Sequence, residues 1–195
     1  MIPYVCHIYG DLYFNCYGLF IALALVIFVS LAQRDTLRKN FLSAEQLTSL
    51  IFFGIITIFI GARILYVATN YECFDSWLSM LAIWRGGFSL LGGIISAAIT
   101  IPFYLAYHKV PVLPIGDLIC TYAPLAMGIS RIGCFCAGCC YGIPTTCLLG
   151  VTYTHPHSMA PLHQHIHPTQ LYNALSLIII FVIIRFILRR YLHRP

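Results

Sequence analysis

Five nearly charge-free apolar runs divide this chain of 195 residues, near Leu12–Gln33, Gln46–Ala68, Gly86–Tyr107, Pro111–Cys134 and Leu171–Leu188. Each approaches the roughly 20 residues that a helix needs to cross a hydrocarbon core. In lipid the backbone polar groups must be satisfied internally, which leaves helices or closed barrels as the only spanning structures. Composition points the same way: 60% of residues are hydrophobic and only 9% charged, with a mean hydropathy of +0.86, which excludes an ordinary soluble domain. The expected fold class is an all-α integral membrane protein, a bundle of about five transmembrane helices forming a single membrane domain over residues 1–195. The fourth run is the weakest because it contains Asp117 and Arg131, and the short apolar piece Ser76–Trp84 reads as interfacial.

The basic residues set an expected orientation. Arg34, Arg38 and Lys39 follow the first run, Lys109 follows the third, and Arg185, Arg189, Arg190 and Arg194 close the chain. By the positive-inside rule these eight are cytoplasmic, so the N-terminus lies outside and the C-terminus inside. No Lys or Arg precedes the first run, so it reads as a retained helix and not a cleaved signal. The opposite face receives Met1–Asp11, Asn70–Trp84 and the His- and Cys-rich segment 135–170. The net charge of +5 therefore reports topology and calls for no nucleic-acid partner.

Three basic residues remain: Arg63 late in the second run, Arg85 opening the third and Arg131 late in the fourth. This topology puts all three in the outer leaflet, with Asp11, Glu72 and Asp75 as the only acids on that side. An ionised side chain inside a span costs roughly 2.5–3.5 kcal/mol on insertion scales, and it faces a cavity or a partner. Snorkelling or pairing with those acids accounts for any one arginine alone. Taken together the three suit a phosphate, which guanidinium groups bind bidentately, and the abundant anion at that depth is a phospholipid headgroup. Gly86, Gly87, Gly92, Gly93, Gly128 and Gly133 sit beside them, where glycine permits close approach of a ligand or of another helix.

The stretch "SRIGCFCAGCCYG", Ser130–Gly142, admits several chemistries. Cys136 and Cys139 form a C-x-x-C, the spacing of a redox pair in a membrane thiol oxidoreductase that uses a quinone. Adding His155, His157, His163, His165 and His167 makes a candidate site for zinc or copper, although a second C-x-x-C is lacking. The third reading is that the cysteines are small, weakly polar packing residues. Downstream, "HPTQLYN" brings His167, Gln170 and Tyr172 to the start of the fifth run, and an imidazole there can transfer protons near neutral pH.

In this order, "CYGLFIAL", "GARILYV", "WRGGFSLLGG", "SRIGCFCAGCCYG" and "HPTQLYN" resemble the prolipoprotein diacylglyceryl transferase family over nearly the whole chain. The Arg131 motif and His-Pro-Thr-Gln-Leu-Tyr are the specific elements. The resemblance implies a multi-pass enzyme of the bacterial inner (plasma) membrane. Its substrates would be phosphatidylglycerol, among the surrounding membrane lipids, and the lipobox segment of a preprolipoprotein. The diacylglyceryl group passes to the lipobox cysteine thiol, forming a thioether and releasing glycerol phosphate. Carried over, Arg131, His167 and Tyr17 are the expected catalytic residues. Arg63, Arg85, Gly92, Gly93, Gly133, Cys134, Cys139, Gln170 and Tyr172 are the expected substrate-binding ones, and Asp117 matches an acid early in the fourth span. The scheme requires no cofactor and no metal.

The chain also departs from the family's pattern. Leu91 stands where typical members have a histidine, and Cys134 and Cys139 replace the usual Asn and Glu. Typical members run on through two further helices that bring a second arginine, and nothing after Leu188 matches it. These features resemble a shorter, cysteine-bearing branch. Two other readings stand beside the transferase: an oxidoreductase working through Cys136 and Cys139, and an inactive lipid- or metal-binding relative.

Overall fold

A computed structural model describes residues 4–9, 12–74, 76–82 and 86–188. Five of its helices are long and apolar enough to cross a membrane: α1 (Cys16–Arg34), α3 (Ala44–Thr69), α5 (Leu90–Tyr107), α6 (Val112–Ala137) and α7 (Thr169–Val182), the last continuing as a π-helical turn through Leu188. The short helices α2 (Thr36–Phe41) and α4 (Trp77–Leu81) lie between them. The first span opens later than its apolar run suggests. Leu12–Asn15 is a strand, β2, paired antiparallel with β1 (Tyr4–Tyr9). Alternation in "LYFN" and the β-branched and aromatic content of "YVCHIY" suit a ribbon, a signal hidden by adjacency to a longer apolar run. A second small ribbon pairs β3 (Val151–Thr152) with β4 (His165–Ile166).

The helix starts are written locally. Ser43 and Gln46 form a capping box at α3, with Gln46 N–H donating to Ser43 Oγ at 3.0 Å and Ser43 N–H to Gln46 Oε1 at 2.9 Å. This satisfies two backbone donors that a helix start otherwise leaves open. Asp35 does the same for α2, accepting from Leu37 N–H at 2.8 Å.

By its contacts the chain forms two compact units, residues Asp35–Gly116 and the segments flanking them. In the Asp35–Gly116 unit, α3 and α5 meet along small residues. Gly61 and Gly92 lie against each other's backbone, and Gly93 lies against Ile58. Ser96 Oγ donates to the Thr57 carbonyl at 2.9 Å, Thr100 Oγ1 to Thr57 Oγ1 at 3.1 Å, and Tyr104 OH to Ser49 Oγ at 3.0 Å. Lipid tails are as apolar as leucine, so close backbone approach and interhelical hydrogen bonds hold such a pair. Gly92 and Gly93, expected to bind substrate, lie in this packing seam: a Cβ at Gly92 would meet the Gly61 carbonyl, and one at Gly93 would lie 3.1 Å from Ile58 Cγ2.

Gly92→Val puts a branched side chain against the Gly61 carbonyl and the Leu65 Cβ, both backbone-fixed. It is expected to cost about 1–3 kcal/mol as an overpacking substitution, read as a lowered unfolding midpoint in detergent. Gly116→Ala, whose Cβ meets nothing within 4 Å, leaves the midpoint unchanged or higher.

Candidate functional site

The residues of the Arg131 motif gather at the C-terminal end of α6, and the reason lies in its last turn. Gly138 adopts φ +77°, the left-handed conformation that ends helices and that glycine enters most readily. Gly138 N–H donates to the Phe135 carbonyl at 3.3 Å and Cys139 N–H to the Cys134 carbonyl at 3.1 Å, the paired bonds of a Schellman motif. The chain curls back, so Cys139 and Cys140 return over Cys134. The sulfur atoms of Cys134, Cys139 and Cys140 all lie within 4.8 Å of one another. Cys140 has φ 57° without being glycine, a local strain that the fold must hold.

The segment after this turn folds over the end of α6. Tyr153, Ala160 and Ile166 are buried together against Phe135 and Val151. Tyr153 OH donates to the Phe135 carbonyl at 3.2 Å, and Met159 N–H to the Ala137 carbonyl at 3.2 Å. Gly142 N–H donates to the His167 carbonyl and His167 N–H to the Ile143 carbonyl, both at 3.0 Å. The start of α7 pins the cysteine turn from below. Thr169 Oγ1 donates to the Cys140 carbonyl at 2.8 Å, and Gln170 Nε2 to the Cys139 carbonyl at 2.7 Å and to Tyr153 OH at 3.4 Å. Gln170 is 0% exposed, and its Oε1 has no hydrogen-bond partner, leaving one open acceptor at the site.

Tyr17, in the first turn of α1, completes the cluster. Gly133 makes the approach possible: a Cβ there would lie 2.8 Å from the Phe20 Cβ and 3.3 Å from the Tyr17 Cα. The Tyr17 hydroxyl has Cys134, Cys139, Cys140 and Arg131 as its electrostatic neighbours. Among the described residues no hydrogen bond or ion pair engages the half-buried Arg131 guanidinium. Five N–H donors in a fixed fork are therefore available to an anion beside Tyr17.

Arg63 behaves in the opposite way. It is 8% exposed, and all five of its N–H groups are taken by backbone carbonyls. Nε donates to Met80 at 2.9 Å, Nη1 to Gly86 at 2.5 Å and Gly87 at 2.9 Å, and Nη2 to Ser79 at 3.3 Å and Ala82 at 3.2 Å. The rings of Tyr66, Phe74 and Phe88 lie within 6.0 Å of its guanidinium carbon. Arg63 fastens the α4 segment to α3, and it has no donor left for a phosphate; this corrects its assignment as a headgroup ligand. Arg85 lies outside the described residues.

His167 and Tyr172 form a pair, Nδ1 to OH at 3.0 Å. If Nδ1 carries the proton and donates, Nε2 is free to act as a base; the opposite tautomer makes Nε2 a donor. The other histidines do not assemble a metal centre. His165 bridges the Cys147 carbonyl at 3.1 Å and Thr152 Oγ1 at 3.2 Å, and the thiol triad is the only ligand group of its kind among the described residues. The two members of the C-x-x-C face different partners: Cys136 has Cys16 on α1 as its neighbouring thiol, whereas Cys139 sits with Cys134 and Cys140. Sequence reasoning places Cys140 in the cysteine cluster without a role at the site, and it missed Cys16 and Tyr153. The signal for Cys140 was Gly138, which ends the helix four residues after Cys134.

Burial, then the adjacent Cys134 and Cys140 thiols, pushes the Cys139 thiol up to about 12. Burial also pushes the Tyr153 hydroxyl up to about 12, so it stays a donor to Phe135 across the physiological range.

The prolipoprotein diacylglyceryl transferase family matches residues 3–195. Among similar proteins is one from Clostridium tetani named phosphatidylglycerol–prolipoprotein diacylglyceryl transferase, 33% identical over 82% of this chain and 63% of its own length. A Clostridium perfringens protein with that name and the number 2 is 29% identical over 82% of the chain and 62% of its length. One from Parasynechococcus marenigrum is 28% identical over 93% of the chain and 66% of its length. The chain thus spans less than two thirds of these relatives' length.

The thiolate is the reactive form of cysteine, and with a pKa near 12 about one Cys139 in ten thousand is ionised at pH 8. In reduced, chelator-washed protein Cys139 is expected to react slowly with iodoacetamide at pH 8, the rate climbing about tenfold per pH unit. Mass spectrometry of the peptide carrying Cys139 measures it; a rate already level by pH 9 would contradict the burial argument.

Proposed function

The chain belongs to the prolipoprotein diacylglyceryl transferase family, and from that premise we propose that it transfers the diacylglyceryl group of phosphatidylglycerol to the lipobox cysteine of a preprolipoprotein. The product is a thioether, and glycerol phosphate leaves. The observation that carries this reading is the Arg131 guanidinium, unengaged among the described residues and beside Tyr17, at a site built from the family's two specific motifs. The protein would reside in the bacterial inner membrane. Its N-terminus and the segment between α6 and α7 would lie outside, and Arg34, Arg38, Lys39, Lys109 and Arg185 in the cytoplasm, as the positive-inside rule requires.

The chemistry follows from charge. The substrate thiolate attacks the glyceryl carbon bonded to the phosphate oxygen, and the C–O bonding pair departs with the phosphate. Charge on that leaving group grows in the transition state, where a preorganised guanidinium shielded from water stabilises it most. Arg131 takes that role, and Tyr17 donates to the headgroup. Gln170, fully buried, holds the Cys139 carbonyl and so fixes the turn on which the site is built. Gly133 lets α1 bring Tyr17 close, Cys134 and Cys139 border the headgroup beside it, and His167, hydrogen-bonded to Tyr172, would accept a proton as the thiol approaches. Arg85 remains assigned to the headgroup on its sequence position alone.

The oxidoreductase reading draws less support, because Cys139 gathers with Cys134 and Cys140 in a group that does not include Cys136. Transfer of labelled diacylglyceryl from phosphatidylglycerol to a lipobox peptide separates the two. Arg131→Lys keeps the charge but not the bidentate fork, and it is expected to lower kcat/KM by about 100- to 1,000-fold, the loss typical of removing a transition-state donor. Cys136→Ser is expected to transfer at close to the parent rate. Undiminished transfer by Arg131→Lys would remove Arg131 from the phosphate, and abolition by Cys136→Ser would favour the redox reading.

A further inference from the structure

Three thiols within 4.8 Å of one another are more than packing requires. We propose that Cys134, Cys139 and Cys140 bind a zinc ion through their thiolates and leave its fourth position open to the thiol of the incoming substrate; the second half of this proposal rests on the transferase reading.

Geometry supports the first half. Zn–S bonds of about 2.3 Å in a tetrahedron place sulfur atoms about 3.8 Å apart, so rotation of the side chains by less than about an ångström closes the triad. The backbone bearing two of the ligands is fixed from outside, by Gln170 on the Cys139 carbonyl at 2.7 Å and Thr169 on the Cys140 carbonyl at 2.8 Å. Such outer supports hold a metal site in shape. The ligands are graded from buried Cys134 through half-buried Cys139 to exposed Cys140. The vacant fourth direction therefore faces the exposed side, as in sites that take substrate instead of a fourth protein ligand. Zinc with three thiolates carries a net charge of −1, and Arg131, unpaired among the described residues, shares Tyr17 with the triad as a neighbour.

The second half follows from the reaction. A thiol with a pKa near 8.5 is mostly protonated at neutral pH, and the transferase step needs the thiolate. Coordination to zinc removes that proton, which passes to solvent or to His167. The zinc-bound sulfur then attacks the glyceryl carbon, the new C–S bond forms from the sulfur lone pair, and the C–O pair leaves with the phosphate. Zinc keeps its oxidation state, and the neutral thioether, a weaker ligand, dissociates.

The test uses the full chain purified in detergent, reduced, stripped with chelator and titrated anaerobically with Co(II) as a visible stand-in for zinc. One equivalent is expected to give sulfur-to-metal charge-transfer absorption and the intense d–d bands of a four-coordinate site. Cys139→Ser and Cys140→Ser, the latter at an exposed position that does not threaten folding, are expected to weaken binding by more than the roughly 10–100-fold that an outer-shell change costs. Cys147→Ser and Cys136→Ser leave it unchanged. A lipobox peptide shifts the d–d bands, and its Cys→Ser analogue does not. Substoichiometric binding, or binding indifferent to Cys139→Ser and Cys140→Ser, overturns the proposal. So does full transfer by protein shown to be free of metal, which leaves the transferase reading standing. Stoichiometric cobalt with the peptide-induced shift, in a protein that transfers nothing, upholds the site and removes the transferase reading instead.

Discussion

A guanidinium carried on an apolar helix must have its five N–H groups met by something, because an unsatisfied polar group away from water is costly. Arg63 and Arg131, each carried on a helix long and apolar enough to span a membrane, resolve this constraint in opposite ways. Arg63 turns to its own chain, where five carbonyls and three aromatic rings surround it. The α4 segment is shaped by that demand. Arg131 has no such shell among the described residues, which leaves its donors open to the anion proposed above.

The second determinant is a single backbone angle. Gly138 at φ +77° reverses the chain after α6 and folds Cys139 and Cys140 back over Cys134. From that reversal come the thiol triad, the carbonyls that Thr169 and Gln170 reach, and the small core around Tyr153. A residue with a Cβ at 138 would meet Ser158 Oγ and the Ala160 nitrogen as well as a left-handed strain. The candidate site is thus organised by a helix stop, with α1 and α7 holding Tyr17 and Gln170 against it.

Much of this was legible beforehand, and the rest was not, for definable reasons. Spanning helices are long and monotonous in polarity, so five runs of sequence anticipate five helices to within a few residues. The ribbon Tyr4–Asn15 was invisible because β2 shares its apolar character with the span it precedes. Arg131, Tyr17, Cys134, Cys139 and Gln170 come together as the motif order suggested. The side-chain partners of Arg63 could not be read, because its acceptors lie 16 to 24 residues away along an irregular segment. Nor could the different partners of Cys136 and Cys139: a C-x-x-C shares one face only while the helix continues, and here Gly138 ends the helix between the two.

The claim on which the account turns is that Arg131, and not Arg63, meets the lipid phosphate. An experimental structure of the full chain with phosphatidylglycerol bound in a lipid nanodisc measures it directly. The account predicts phosphate oxygens within hydrogen-bonding distance of the Arg131 guanidinium, beside Tyr17 OH, with Arg63 still on the carbonyls of Ser79, Met80, Ala82, Gly86 and Gly87. A phosphate seated on Arg63, with those carbonyls displaced and Arg131 left unoccupied, would contradict it.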